Sequence, residues 1–467
     1  MNCGKKCLWL VAWSCLVFGA SPEAGAETRL PNIIFIVVDS LRRDHVGCYN
    51  YDRPTTPAID RIAAGGARCD QAVSSSNWTL SSVMSLFTSL PPAMHRLLEA
   101  NCRLPSSFTT LAAELRKAGY ETEGITSNPL TSGKFGFSRG FGFYDDFSVI
   151  YKVDDLVLGN SRGPMWARRE APTSEAVNQI ALMRLNKDRN DSPLFLFLLY
   201  LDPHFDYTPP PPYDRQFTDP AYDGRQTGMD IRDMVPEVLS AADRRHLVAL
   251  YDGEIRYTDD CIGALLEHLQ SANLGENTIT IVTSDHGEEF WEHGGMRHGH
   301  TLYDELVRVP LVIRYPGKIR GGTVVREQVS HLDIMPTVLD LAGLPIPAQC
   351  QGRSIRPLLE GRAGSWVDRP AYMESTADNK RLRGARTPSQ KIVEQVALEK
   401  THLFDLAADP GEQNDLSAPG RTEGFSELTS RFASWKRGME SCARVTAEPA
   451  EVSPRLRRQL QTMGYAR

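Results

Sequence analysis

TITIVTSDHGEEFWEHGGMRHGHTLY, residues Thr278–Tyr303, decides how the chain is read. Its first part, Thr278–Val282, is an apolar, β-branched run of the kind a sheet buries. Directly after it, sixteen residues hold Asp285, His286, Glu288, Glu289, Glu292, His293, His298 and His300, with glycines at 287, 294, 295 and 299. So many carboxylates and imidazoles at one strand end repel one another or lose hydration unless something unites them. A divalent cation does so, because it takes deprotonated oxygen and nitrogen ligands together. A solvated polar loop explains one incidental histidine. Four histidines, set between glycines behind a buried strand, point to metal or catalytic chemistry.

Working outward, two more apolar runs end the same way. Asn32–Val38 (NIIFIVV) stops at Asp39, and Pro193–Leu201 (PLFLFLLYL) stops at Asp202. Continuous apolar runs suit strands covered on both faces. Elsewhere the pattern predicts strands at Glu121–Ser127 and Pro310–Tyr315. Helices are predicted at Pro57–Ala64, Thr79–Leu90, Phe108–Ala118, Thr173–Leu185 and Asp333–Ala342. Leu239–Leu269 is a long helical stretch that could break near Tyr251. Residues 128–170 read as an irregular excursion that, with the loop at 205–235, shapes the pocket. Alternating strands and helices imply an α/β fold with a mainly parallel sheet. In such sheets ligands bind outside the carboxyl ends of the strands, so Asp39, Asp202 and Asp285 can meet in one crevice. After about residue 360 the texture shifts to short polar segments and an amphipathic helix at Glu423–Met439. This divides the mature chain into a catalytic domain, 27–360, and a small C-terminal α+β subdomain, 361–467.

At 467 residues with 41% hydrophobic and 24% charged content, the chain suits a large globular domain with a smaller one. A formal charge of −6 gives nucleic-acid binding no electrostatic support. Lys5 and Lys6 precede an apolar run, Cys7–Ala20, and Ala24-Gly25-Ala26 follows. That is the layout of a secretory signal peptide, 1–26, and makes the mature protein secreted or periplasmic. No later run is long and apolar enough to predict a transmembrane segment. Nine cysteines become six after cleavage: Cys48, Cys69, Cys102, Cys261, Cys350 and Cys442. Their spacings define no pairing, and no C-x-x-C pair suggests a thiolate zinc site. The sequence sets no oligomeric state.

A metal does not by itself define a reaction. Ser74–Ser89 (SSSNWTLSSVMSLFTS) is a hydroxyl-rich loop running into a helix. A hydroxyl at a helix N-terminus sees unpaired backbone N–H groups, which suits attack on a phosphoryl or sulfuryl group beside a cation. Ser and Thr also cap helices for purely structural reasons, and alone the loop fits that reading better.

In combination the pattern is more specific. The order Asp39, Thr79, Asp285-His286 and His298 resembles the alkaline phosphatase superfamily and, within it, the sulfatase family. The matching stretches are NIIFIVVDSLRRDHVGCYNYDRPTTPAIDRIAAGGARCDQAVSSSNWTLSSVMSLFTSLPP, LYLDPHFDYTPP, TSDHGEEFWEHG, HGHTLYDELVRVPLVIRYPG, HLDIMPTVLDLAG and LFDLAADPGEQNDL. They span most of the mature chain in the family's order. The resemblance implies a doubly wound α/β domain, a C-terminal subdomain with a small antiparallel sheet, and hydrolysis of sulfate or phosphate esters of small molecules or glycans. Asp39, Asp285 and His286 resemble the ligands of the family's divalent metal, here Ca²⁺, Zn²⁺ or Mn²⁺. Thr79 resembles the covalent nucleophile that contacts that metal. His204 and His298 match positions that bind the transferring group or ligate a second metal, and Asp202 is a further candidate ligand of such an ion.

The chain also departs from the family. Sulfatases carry a C/S-x-P-x-R motif whose Cys or Ser becomes formylglycine. Here Thr79-Leu80-Ser81-Ser82-Val83 stands in its place, and threonine gives no such aldehyde. Ser40 replaces a second aspartate common after the first strand. The G-K-x-H element has no close match; Ser132–Gly136 (SGKFG) comes nearest. Threonine nucleophiles occur in phosphoryl-transferring relatives, so the pattern lies between sulfatase and phosphoesterase. Two alternatives remain beside the hydrolase: a phospho-group transferase acting on glycan or lipid acceptors, and an inactive binding protein. His45 and His95 read as structural, Arg42 as the partner of Asp44, and Asn77-Trp78-Thr79 as a sequon too close to the site for a glycan. Nothing in the sequence assigns His293 or His300 a role.

Overall fold

Seven consecutive residues of the run Leu194–Tyr200 are buried, as its unbroken apolar sequence requires. Burying each such Leu or Phe contributes about 1.5–3 kcal/mol. The structure, a computed structural model, describes residues 29–146, 148–149, 173–189, 191–229, 231, 234, 238–377, 380–442 and 447–462, together with Met1. The expected signal peptide, the body of the 128–170 excursion beyond 149, Cys442's side chain and parts of the 205–235 loop lie outside the described residues.

The central sheet is built from β1 (Asn32–Val38), β2 (Ala67–Val73), β3 (Glu121–Thr126), β4 (Phe143–Asp145), β5 (Leu194–Tyr200), β6 (Thr278–Ser284), β7 (Arg308–Val309), β8 (Leu311–Arg314) and β9 (Thr323–Ser330). Its order is β7-β2-β8-β6-β1-β5-β3-β4, with β9 also paired to β2. From β6 to β4 every pairing is parallel. Beyond β6 the sheet turns antiparallel through β8. The fold class is therefore the expected α/β one, with a mainly parallel sheet and an antiparallel flank. β1 lies at the centre, paired with β5 on one side and β6 on the other, its Val38 level with Tyr200 and Ser284. That register places Asp39, Asp202 and Asp285 at one end of three adjacent strands.

The sequence pattern does not announce β2, β7 or β9, nor β4, which lies in the stretch expected to be irregular. Arg68, Asp70 and Gln71 break the apolar pattern of β2, and its burial alternates accordingly. The long helix, α1 (Ala241–Ser271), is unbroken, which corrects the expected break near Tyr251. The aromatic ring is packed at the centre of the helix and its hydroxyl is used: it donates to Ser40 O at 2.7 Å and accepts from Arg42 N at 2.9 Å. A capping box at Ser240 and Asp243 starts this helix.

The C-terminal part forms a four-stranded antiparallel sheet from Ala371–Ser375, Leu382–Arg386, Gln390–Gln395 and Lys400–Asp405, with a helix at Ser426–Cys442. It is not a detached module, since Pro31–Arg467 is one compact unit. Two buried cations of this sheet reach back to Asp304. Arg386 Nη2 lies 2.8 Å from Asp304 Oδ2, and Lys391 Nζ lies 2.8 Å from Asp304 Oδ1 and 2.9 Å from Glu412 Oε1. Asp304 directly follows the acidic, histidine-rich stretch. Cys48, Cys69, Cys102, Cys261 and Cys350 are unpaired. Among the described residues no helix is long and apolar enough to cross a membrane.

Candidate active site

Asp39 and Asp285 leave neighbouring parallel strands at the same level and are both fully buried, as is His286. Ligand atoms of these three residues lie within 4.8 Å of one another. His286 Nδ1 faces Gly287 O at 2.9 Å, so this nitrogen carries the proton and Nε2 its lone pair. Nε2 lies 3.3 Å from Asp285 Oδ2 and 3.8 Å from Asp39 Oδ1. Asp285 Oδ2 is buried and accepts no hydrogen bond. Two carboxylate oxygens and an imidazole lone pair thus face one another in a dry site, which is the donor set a divalent cation takes. Burial, and then the Asp285 charge, push the Asp39 carboxyl up to about 8. Burial pushes Asp285 up to about 7 and, with His298 second, drives His286 down to about 4. These are the directions expected of ligands that a cation, rather than a proton, compensates.

Thr79 is the first residue of a buried helix, Thr79–Thr88. Its Oγ1 lies 3.4 Å from Asp39 Oδ2 and 3.4 Å from His286 Nε2. Hydroxyls tie this region to the residue after β6. Ser82 Oγ, one turn along, donates to Asp285 O at 2.6 Å, and Ser74 Oγ does the same at 2.6 Å. Ser40 adopts a left-handed φ of 58°, and its N–H donates to Asp285 Oδ1 at 3.2 Å while its hydroxyl donates to Asp39 Oδ1 at 3.0 Å. Where a second aspartate would add charge, serine bridges the two carboxylates instead.

His298 and His204 stand beside this group. The His298 ring centroid is 4.2 Å from that of His286 and 4.8 Å from that of His204. His204 Nδ1 faces Phe205 O at 2.8 Å, and His298 Nδ1 faces Glu288 Oε1 at 3.1 Å. The structure thus brings together Asp39, Asp285, His286, Thr79, His298 and His204. Asp202 is placed differently. Its Oδ2 accepts from the N–H groups of Thr173 and Ser174 at 3.0 and 2.8 Å, and from their hydroxyls at 3.1 and 2.6 Å. It caps the helix Ser174–Leu185 and is committed there, so the expectation of a metal-ligand role is corrected.

Two site residues went unrecognised in the sequence. Asn128 Nδ2 donates to Asp39 Oδ2 at 2.6 Å and approaches Thr79 Oγ1 at 3.4 Å. It follows β3, so the strand-end rule that found the aspartates would have found it had amides been considered. Glu288 lay in view but had no signal separating it from Glu289. His45 and His95 are structural as expected: His45 Nδ1 bonds Asp252 at 2.7 Å, and burial drives His95 down to about 3. Arg42 is held by Asp44 through Nε and Nη2 at 3.0 and 2.7 Å. Asn77 is buried with Nδ2 donating to Thr301 O at 2.5 Å, which leaves no room for a glycan.

Comparison with known proteins identifies the family. Residues 31–344 match the family model "Sulfatase", and residues 292–436 match "N-sulphoglucosamine sulphohydrolase, C-terminal". The chain belongs to the sulfatase family and is an ester hydrolase of that family. It is similar to an arylsulfatase of Clostridium perfringens, 26% identical over 83% of this chain and 90% of the relative. It is also similar to an N-acetylglucosamine-6-O-sulfatase of Bacteroides thetaiotaomicron, 25% identical over 85% of this chain and 84% of the relative. In structure it resembles the phosphonate monoester hydrolase of Agrobacterium radiobacter, with a TM-score of 0.71 at 20% identity, covering 88% of this chain and 96% of that one.

Proposed function

We propose that this protein is an exported, metal-dependent hydrolase of sulfate or phosphate esters that works through a covalent threonine intermediate. The observation that carries the reading is the position of Thr79 Oγ1, at a helix N-terminus and 3.4 Å from both Asp39 Oδ2 and His286 Nε2. Asp39, Asp285 and His286 would hold a divalent cation, Ca²⁺, Zn²⁺ or Mn²⁺. When bound, such an ion lowers the pKa of a neighbouring hydroxyl and polarises an ester oxygen. Thr79 Oγ1, its proton given up to solvent, attacks the sulfur or phosphorus in line, and the bond from that atom to the ester oxygen breaks. His298 or His204 donates a proton to the leaving oxygen or contacts the transferring group. Water then cleaves the threonine ester, releasing sulfate or phosphate and restoring the hydroxyl. No formylglycine is needed at position 79. The signal-like segment 1–26 supports a secreted or periplasmic location. The named activities of the relatives cover aryl, glycan and phosphonate esters, which supports a small-molecule or glycan ester as substrate.

Purified protein assayed in parallel on aryl sulfate, phosphate monoester, phosphodiester and phosphonate substrates across a metal series identifies the ester. Incubation with the activated ester followed by mass spectrometry should place an adduct on Thr79. Thr79→Ala should lower metal-dependent turnover by about 10³-fold or more. Full activity in Thr79→Ala would move the nucleophile to Ser76 or Ser81. A metal-loaded, inert protein that still bound sulfated or phosphorylated glycans would favour the binding-protein reading.

A further inference from the structure

Three imidazoles gather at the site, and each is tied through Nδ1. Two of the ties are local, because His286 faces the carbonyl of Gly287 at 2.9 Å and His204 that of Phe205 at 2.8 Å. Each neighbouring carbonyl comes with the backbone. The third is of another kind, because His298 Nδ1 meets the Oε1 of Glu288, ten residues earlier, at 3.1 Å. Glu288 is fully buried and His298 nearly so. A third carboxylate buried beside Asp39 and Asp285 is expensive to desolvate. A carbonyl or an amide would satisfy the imidazole N–H with less desolvation if packing were the only demand.

The backbone around Glu288 is pinned as well. Arg42 Nη1 donates to Glu288 O at 3.0 Å, and Gly287 N donates to Leu306 O at 2.8 Å. Glu289, the next residue, turns away to His300 at 2.7 Å. From Asp44 through Arg42 to Glu288 and on to His298, fixed groups set one ring.

We propose that Glu288 is a positioning residue for His298: its carboxylate holds the ring by Nδ1, so that Nε2 is the nitrogen presented to the leaving oxygen of the ester. The proposal rests on the reading of His298 as a group that serves the transferring or leaving atoms, and it separates His298, held at Nδ1 by a carboxylate, from His204, whose Nδ1 faces a carbonyl. Glu288 touches no reacting atom and acts through the imidazole.

The test is a double-mutant cycle on the metal-loaded full chain, using the ester class the wild type hydrolyses. Glu288→Gln should lower kcat for an alkyl ester by about 10- to 100-fold, within the range of proton transfer to a poor leaving group. For a 4-nitrophenyl ester, whose leaving group needs no proton, the loss should stay under about threefold, with KM little changed in both cases. In a His298→Asn background, Glu288→Gln should have no further effect. Equal losses on both esters, or losses that add in the double variant, would overturn the proposal. If Glu288→Gln fails to fold, the wild type itself answers. Protein labelled with ¹⁵N-histidine and loaded with zinc should show His298, assigned by its absence in His298→Asn, with a proton on Nδ1 in addition to the one that Nε2 gives to the leaving oxygen. A proton on Nε2 alone would overturn the tie. A wild type inert on every ester would sink the hydrolase reading, while the ¹⁵N measurement would still decide the Glu288 tie.

Discussion

Two groups of carboxylate and imidazole lie within one stretch of this chain's fold and look alike as sequence. One is Asp39, Asp285 and His286; the other is Glu289, His293 and Glu305; in each, ligand-type atoms lie within 4.8 Å of one another. They differ in what the protein gives them as partners. In the second group Glu289 Oε1 accepts from Gly295 N at 2.7 Å and His293 N at 3.2 Å, and Oε2 meets His300 Nε2 at 2.7 Å. His293 Nδ1 meets Glu305 Oε1 at 2.7 Å. Burial pushes Glu289 up, yet His300 and the backbone N–H groups bring it below its ordinary value. Burial pushes His293 down, yet Glu305 carries it above its own. The second group compensates itself. The first keeps Asp285 Oδ2 without a hydrogen bond and turns an imidazole lone pair toward two carboxylates. Ligand-type residues suit a cation where the fold leaves a carboxylate oxygen without a partner, as at Asp285 Oδ2.

The difference can be broken most sharply at Asp285. Asp285→Asn should abolish stoichiometric cation binding by calorimetry and reduce turnover about 10³-fold, as loss of several kcal/mol of charge stabilisation requires. Retained cation binding in that variant, or its loss in Glu289→Gln, would reverse the assignment of the two groups. Next in size is a pH effect. Burial holds Asp39 near 8 and Asp285 near 7. In chelated protein these groups bind protons that the unfolded chain has released, so folding stability is greatest at low pH and is lost as pH rises through those values. From about pH 5 to about pH 9 the melting temperature with EDTA should therefore fall relative to that with saturating cation, the gap widening with pH. A constant gap would mean that the cation does not replace those protons. The smallest effect belongs to the second group: Glu289→Gln should destabilise by about 1–3 kcal/mol in denaturant unfolding, with cation stoichiometry unchanged.

Much of this was legible in the sequence, for identifiable reasons. NIIFIVV, PLFLFLLYL and TITIV announce buried parallel strands because nothing polar interrupts them, and the carboxyl-end rule then gathers Asp39 and Asp285. β2 was hidden because Arg68, Asp70 and Gln71 face less buried ground on a strand at the antiparallel flank. Tyr251 sits within an uninterrupted helix, and the partners of its buried hydroxyl, Ser40 and Arg42, lie more than 200 residues distant in the chain, out of reach of any local pattern. Asp202 obeyed the strand-end rule and still went elsewhere, because the start of the helix Ser174–Leu185 claims its oxygen. Glu288 and Glu289 are chemically identical neighbours. Only the path of the loop sends one to His298 and the other to His300.

The contact of Arg386 and Lys391 with Asp304 has a consequence for recombination among homologues. A chimaera joined at residue 360, where the sequence changes texture, would import buried Arg386 without Asp304, and buried Lys391 with Glu412 but without Asp304. Exchanging the C-terminal sheet therefore means exchanging Asp304 with it, and Asp304 adjoins the loop that carries His298 and His300. The charge balance of the C-terminal sheet thus reaches across the point where the composition changes.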